Sequence, residues 1–219
     1  MQVDLTVQDC FNDAFQGRQA DSLAARGLDD IESSFNNVEQ DTIAPTTWQV
    51  WFSCWLDNLM PSNPEADNTA AIPNPLLRDP SRLYEINLRL TDDREIQSLN
   101  AQYRQQDRPT DVLAFAAAEA NVPQVEALPQ VGEAQFSDEA GRRSHPSPIP
   151  LCLGDIVISV ETAQRQARSQ NHPLQTELAW LACHGLLHLL GWDHPDNATL
   201  AQMLDRQVAL LQTIGLSFQ

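Results

Sequence analysis

Val3, Leu5 and Val7 alternate with Asp4 and Thr6, so residues 2–8 carry the period-two pattern of a strand with one buried face. The alternation is stricter in Tyr84–Leu90, where Tyr84, Ile86, Leu88 and Leu90 are set against Glu85, Asn87 and Arg89. Val112–Ala116 and Leu153–Val160 are apolar runs with few polar interruptions, the pattern of central strands. Elsewhere the period lengthens. Trp48, Trp51, Phe52 and Trp55 share one helical face. Thr46 or Thr47 is placed to cap that helix, which is expected to reach about Asn58 and to bury its aromatic stripe in the core. Asp92 with Glu95 three positions on resembles a capping box and opens a short helix to about Gln102. Three helices follow: Glu161–Ser169, a second from Pro173 to Leu190 closed by Gly191, and a last from about Ala198 to Ile214 stopped by Gly215. In the last, Leu200, Met203, Leu204, Val208 and Leu211 are expected to face inward. The order β, α, β, α, β, β and three helices predicts one α+β domain over residues 1–219, with helices packed on a small mixed sheet.

Three stretches break the periodicity. Residues 17–44 are acidic and 119–150 are rich in Ala, Glu, Gln and Pro; both are expected to be mobile insertions. Residues 61–80 hold five prolines and read as an irregular connection. Cys10, Cys54, Cys152 and Cys183 form no CxxC pair and suit reduced, mostly buried thiols. The start of the chain lacks the basic and apolar regions of a signal peptide, and the longest apolar stretch, residues 178–192, is too short for a bilayer. A cytoplasmic protein with no membrane partner is expected. The formal charge is −17, and every cationic side chain other than histidine is arginine. Such a surface repels nucleic acid at long range, so an RNA ligand requires a local arginine patch and is bound modestly.

The chemistry concentrates in His184-Gly-Leu-Leu-His188-Leu-Leu-Gly191-Trp-Asp-His194. Residues four apart on a helix lie on one face, so His184 and His188 can converge on one ion. Gly191 can adopt the left-handed conformation that breaks the helix and lets His194 return to the same ion. Three neutral nitrogens leave a fourth tetrahedral position for water, the arrangement of a catalytic zinc site, with one Zn2+ per chain. A lone buried histidine is more often a hydrogen-bonded core residue, but three at ligand spacing around a glycine break are not. His145 and His172 have no such neighbours and are given no role. The spacing matches that of metzincin proteases, with one exception: they carry a glutamate base after the first histidine, where this chain has Gly185.

A second cluster spans residues 99–116. A helix end, a proline turn and a strand follow in quick succession, with Arg104 and Arg108 in the turn. Arginine suits phosphate through its bidentate fork, so Arg104 and Arg108 are both candidate substrate-binding cations. Surface solvation, or pairing with Asp107 or Asp111, is the plainer alternative for both.

The histidine segment, Leu99-Asn100 with Tyr103-Arg104, Pro109-Thr110-Asp111-Val112-Leu113 with Phe115, and Leu153-Gly154-Asp155-Ile156-Val157-Ile158 together resemble the bacterial YbeY family, from about Tyr84 to Gly215. The resemblance implies a zincin-like fold and a zinc-dependent, single-strand-specific endoribonuclease acting in 16S rRNA 3′-end maturation and ribosome quality control. It implies His184, His188 and His194 as zinc ligands and Arg104 as the arginine needed for activity. Asp111 and Asp155 would be architectural, holding turn and strand near the metal. Single-stranded or ribosomal RNA would be the substrate, with ribosomal proteins or an assembly GTPase as further partners. Asn197 and Gln207 stand where relatives are commonly acidic, and Gln105, Gln106 and Arg108 replace a lysine-containing turn. Two alternatives stay open: a metallopeptidase with a metzincin-like ligand frame, and a non-catalytic ribosome-assembly factor with structural zinc.

Overall fold

The computed structural model describes residues 2–11, 43–59, 82–119 and 150–216. The expected insertions at 17–44 and 119–150 lie outside the described residues except at positions 43, 44, 119 and 150, and the connection 61–80 lies outside them entirely. Four strands and five helices are bounded: β1 (Gln2–Asp9), α1 (Pro45–Leu59), β2 (Leu83–Thr91), α2 (Asp93–Arg104), β3 (Val112–Ala116), β4 (Leu151–Ser159), α3 (Val160–Gln170), α4 (Leu174–Leu189) and α5 (Asn197–Thr213). Their order and type are those expected from the sequence. Pro45 takes the first position of α1, where its missing N–H costs nothing, so Thr46 and Thr47 lie inside the helix rather than capping it.

The sheet order is β1-β2-β4-β3. β1, β2 and β4 run parallel, and β3 is antiparallel to β4, which makes the sheet mixed and the fold α+β. One expectation fails here. β3 is an edge strand, not a central one. Its apolar character comes from cover on both faces: Ala116 joins the main core, while Leu113 packs with Ile96 and Val157 under α2.

The two faces of the sheet differ. Tyr84, Ile86 and Leu88 of β2 and Ile156 and Ile158 of β4 are fully buried against α1 and α4, with Trp48, Phe52, Trp55, Ala182 and Leu186 at the contact. The aromatic stripe of α1 is core packing, with Trp48–Trp51 and Phe52–Trp55 ring centroids both 5.2 Å apart. α4 is apolar almost all round because it touches the sheet, α3 and α5. The opposite face is covered only in part, by α2. Asp92 caps α2 by accepting from the Glu95 backbone N–H at 2.9 Å, but the Glu95 carboxylate turns to Arg89 and Thr91, so half of the expected capping box forms. Between β2 and β4 the register slips at Gly154, whose φ is +131°. A Cβ there would lie 2.0 Å from the Phe115 carbonyl oxygen, so only glycine fits. No helix among the described residues is long and apolar enough to cross a membrane.

Candidate metal centre

α4 presents His184 and His188 one turn apart, with their Nε2 atoms 3.1 Å from each other. The helix closes with Gly191 N–H donating to His188 O at 2.9 Å and Trp192 N–H to Leu187 O at 3.0 Å. Gly191, at φ +88°, makes the left-handed turn. The chain then doubles back, and the His194 ring stands 5.6 Å and 5.2 Å from those of His184 and His188. One ligand nitrogen from each of the three lies within 4.8 Å of the others, and all three residues are half-buried. Nitrogens bound to a tetrahedral zinc at about 2.0–2.1 Å stand about 3.3 Å apart, so the donor set fits that ion and the His184–His188 pair already has that spacing.

Electrostatics favour the same use. Burial, with help from the neighbouring His184 and His194, pushes the His188 pKa down to about 4. Burial lowers His184 as well, against the opposing effect of its hydrogen bond to the Gln207 oxygen. Both rings are therefore neutral at pH 7, the state that offers a lone pair to a metal.

Gln207 on α5 touches the triad directly, a contact that the sequence marks only as a departure from the family pattern. It is wholly buried, its Oε1 lies 3.1 Å from His184 Nδ1, and its Nε2 donates to Trp180 O at 2.9 Å. With the amide nitrogen committed to Trp180, the oxygen can only accept, which places the proton on His184 Nδ1 and frees Nε2 for a metal. The buried face of α5 is Met203, Gln207, Leu210 and Leu211, rotated from the expected one, so Leu204 and Val208 are only partly covered. The available signal is a glutamine in step with Met203 and Leu211.

Gly185 explains itself sterically. A Cβ at this position would lie 2.8 Å from Cγ2 of Ile156, where α4 rests on β4. The glutamate that a metzincin carries here has no room.

The histidines open into a cavity of about 550 Å³ whose wall includes Arg104, Asp111, Glu119 and Asp193. Arg104, the last residue of α2, is exposed and donates from Nη2 to Ala114 O on β3 at 3.3 Å. Arg108 is not part of that wall. The chain turns at Gln105, φ +58°, and Asn100 Nδ2 pins the Arg108 carbonyl at 2.8 Å, leaving the guanidinium on Gln106 Oε1 at 3.0 and 3.2 Å. Asp111 accepts from Val112 N–H at 2.9 Å, the Thr110 hydroxyl at 3.1 Å and Gln166 Nε2 at 2.9 Å, the scaffold role expected of it. Asp155 is placed differently from expectation. It lines a separate cavity on the other face of the sheet, where Asn87 Nδ2 donates to it at 2.8 Å. His172 does have a partner in space, the buried Glu177, at 2.9 Å.

Comparison with known proteins agrees with this geometry. The family model described as Endoribonuclease YbeY matches residues 35–215. A protein named Endoribonuclease YbeY from Nostoc sp. strain PCC 7120 is 47% identical over 217 residues, covering 99% of this chain and 92% of the relative. Its namesake from Trichormus variabilis is 46% identical over 216 residues, covering 99% and 96%. The solution structure of TM1509 from Thermotoga maritima overlays 96% of this chain and 89% of that one, at 18% identity and a TM-score of 0.42. With the histidine triad and the matched length both in hand, the chain belongs to the endoribonuclease YbeY family.

Proposed function

We propose that this chain is a zinc-dependent endoribonuclease that cuts single-stranded RNA, with ribosomal RNA as its substrate in 16S 3′-end maturation and ribosome quality control in the cytoplasm. The observation that carries the RNA-hydrolase reading is the shared cavity: three convergent histidines and one exposed arginine line the same walls. The finer assignment to ribosomal RNA, and to ribosomal proteins or an assembly GTPase as partners, rests on family resemblance. His184, His188 and His194 would hold the zinc, and Gln207 would keep His184 in the right tautomer. When bound, zinc in such a site supplies Lewis acidity toward water and phosphoryl oxygens. Arg104 would grip a phosphate oxygen and neutralise charge that builds as the phosphodiester is attacked. Arg108, outside the cavity wall, would contribute attraction to the RNA backbone rather than contact at the scission point. The peptidase alternative is disfavoured by the packing around Gly185.

The test is cleavage of single-stranded RNA, duplex RNA and casein by the zinc-loaded protein and its Arg104 variants. Arg104→Ala is expected to keep zinc and fold while slowing RNA cleavage about a hundred- to a thousandfold. Arg104→Lys should recover only part, lacking the fork. Casein cleavage by the parent protein would point to a peptidase instead, and cleavage of neither substrate class would favour the assembly factor.

A further inference from the structure

On the sheet face away from the histidines, a cavity of about 460 Å³ lies between α2 and the strands. Strand register sets a row of side chains across it. Asn87 on β2 is the partner of Asp155 on β4, and Asp155 is the partner of Phe115 on β3. The Phe115 ring stands 5.1 Å from that of Tyr103 at an interplanar angle of 67°. Tyr103 is 57% exposed, which is unusual for a large ring. Arg89, two residues along β2 from Asn87, gives its Nη2 to Glu95, while its buried Nε has no hydrogen-bond partner.

An open aromatic pair, an exposed carboxylate and an arginine in the wall of one cavity are the parts needed to recognise a purine base. Rings of this kind stack on unpaired bases. A carboxylate accepts from the N1–H and 2-amino group of guanine, whereas adenine presents an acceptor at N1 and is repelled. An arginine N–H suits guanine O6 or N7. Internal packing accounts for the Asn87–Asp155 bond, but not for the exposure of Tyr103 or the orphaned donor on Arg89. The cavity is also connected to the metal site by sequence: Tyr103 lines it, and the next residue, Arg104, lines the histidine cavity across β3.

We infer that this cavity is a subsite for an unpaired guanine of single-stranded RNA passing over the edge of β3 toward the histidines. The inference rests on the RNA reading above. It supplies a physical reason for single-strand preference, because the base edge facing Asp155 is the one that a duplex occupies.

The test is anisotropy at low salt with the zinc-loaded full chain and 5′-labelled 2′-O-methyl oligouridine pentamers carrying one central guanine, inosine or adenine. The guanine pentamer is expected to bind about tenfold more tightly than the adenine one, with inosine, which lacks the 2-amino group, between them. Asp155→Asn should abolish the preference with zinc content and the binding of the adenine pentamer unchanged, and Tyr103→Ala should abolish it by weakening the guanine pentamer, with zinc content unchanged. Tyr103→Phe, which keeps a stacking ring, should retain it. Equal binding of guanine and adenine pentamers by the parent protein, or a preference that survives both variants, overturns the inference. So does tight binding of 5′-GMP without preference among the pentamers, which would mark a free-nucleotide site. A guanine preference in a protein that cleaves no RNA would support the subsite while refuting the nuclease reading, so the two fail separately.

Discussion

Nδ1 of His184 lies 3.1 Å from the amide oxygen of Gln207, a fully buried residue 23 positions further along the chain. Through Trp180 O, which receives the other end of the amide, α5 and α4 jointly fix the ring that begins the metal site. A histidine ligand is oriented as much by the partner of its second nitrogen as by the ion.

Gln207→Leu is therefore expected to weaken zinc binding about 10–100-fold, since the histidine loses its tautomer lock. Gln207→Glu, which still offers an acceptor oxygen, should retain most of the affinity. Competition with a chromophoric chelator measures both, and parental affinity in the leucine variant would remove Gln207 from the site.

Much of this is legible in the sequence. The His-x3-His-x2-Gly-x2-His spacing points to three candidate ligands because helix geometry and a glycine break leave little choice, and all three side chains converge. Strand alternation locates β1 and β2 to within a residue or two. What stays hidden depends on long-range packing. An apolar run cannot say whether its cover is a strand on each side or a helix on each face, so the edge position of β3 does not show in its residues. The partner of His184 sits on another helix, and in sequence Gln207 is only a departure from family habit. Side-chain chemistry alone does not separate Arg104 from Arg108, and only the family resemblance favours the first; the left-handed turn at Gln105 sends Arg104 to the cavity and Arg108 to Gln106.

Gly185 marks a second testable contact. Overpacking a core position costs about 1–3 kcal/mol. The gain in helix propensity on replacing glycine is about 1 kcal/mol or less. With Ile156 2.8 Å from the would-be Cβ, packing is expected to win. Gly185→Glu should melt at a lower temperature than the parent and should gain no casein cleavage. A variant of parental stability that digests casein would contradict the steric account.

Asp93 gives a pH-dependent prediction. Its Oδ1 accepts from the Ser159 and Thr162 hydroxyls at 2.5 and 2.7 Å, and its Oδ2 pairs with Arg165 at 2.8 Å, clamping the start of α2 to the β4–α3 junction. Burial opposes the charge, but these donors prevail and hold the carboxyl below its ordinary value of 3.8. A depressed acid stabilises the fold above the unfolded value and ceases to do so as pH falls through the folded one. Because Arg165 is largely exposed and screened, Asp93→Asn is expected to cost only about 1–2 kcal/mol at pH 7. Urea denaturation of both proteins should show that gap shrinking below about pH 4. An equal gap at pH 7 and pH 3 would mean that the ionised clamp contributes nothing.

The central claim is that the three histidines hold the metal on which RNA cleavage depends. Elemental analysis of the purified chain, paired with single-stranded RNA cleavage on the same samples, tests it most directly. The account predicts about one zinc per chain, loss of most of it in His184→Ala, and cleavage that falls with zinc content and returns when zinc is restored to chelated parent protein. Well-folded protein without a bound transition metal, or RNA cleavage undiminished in His184→Ala, would contradict it.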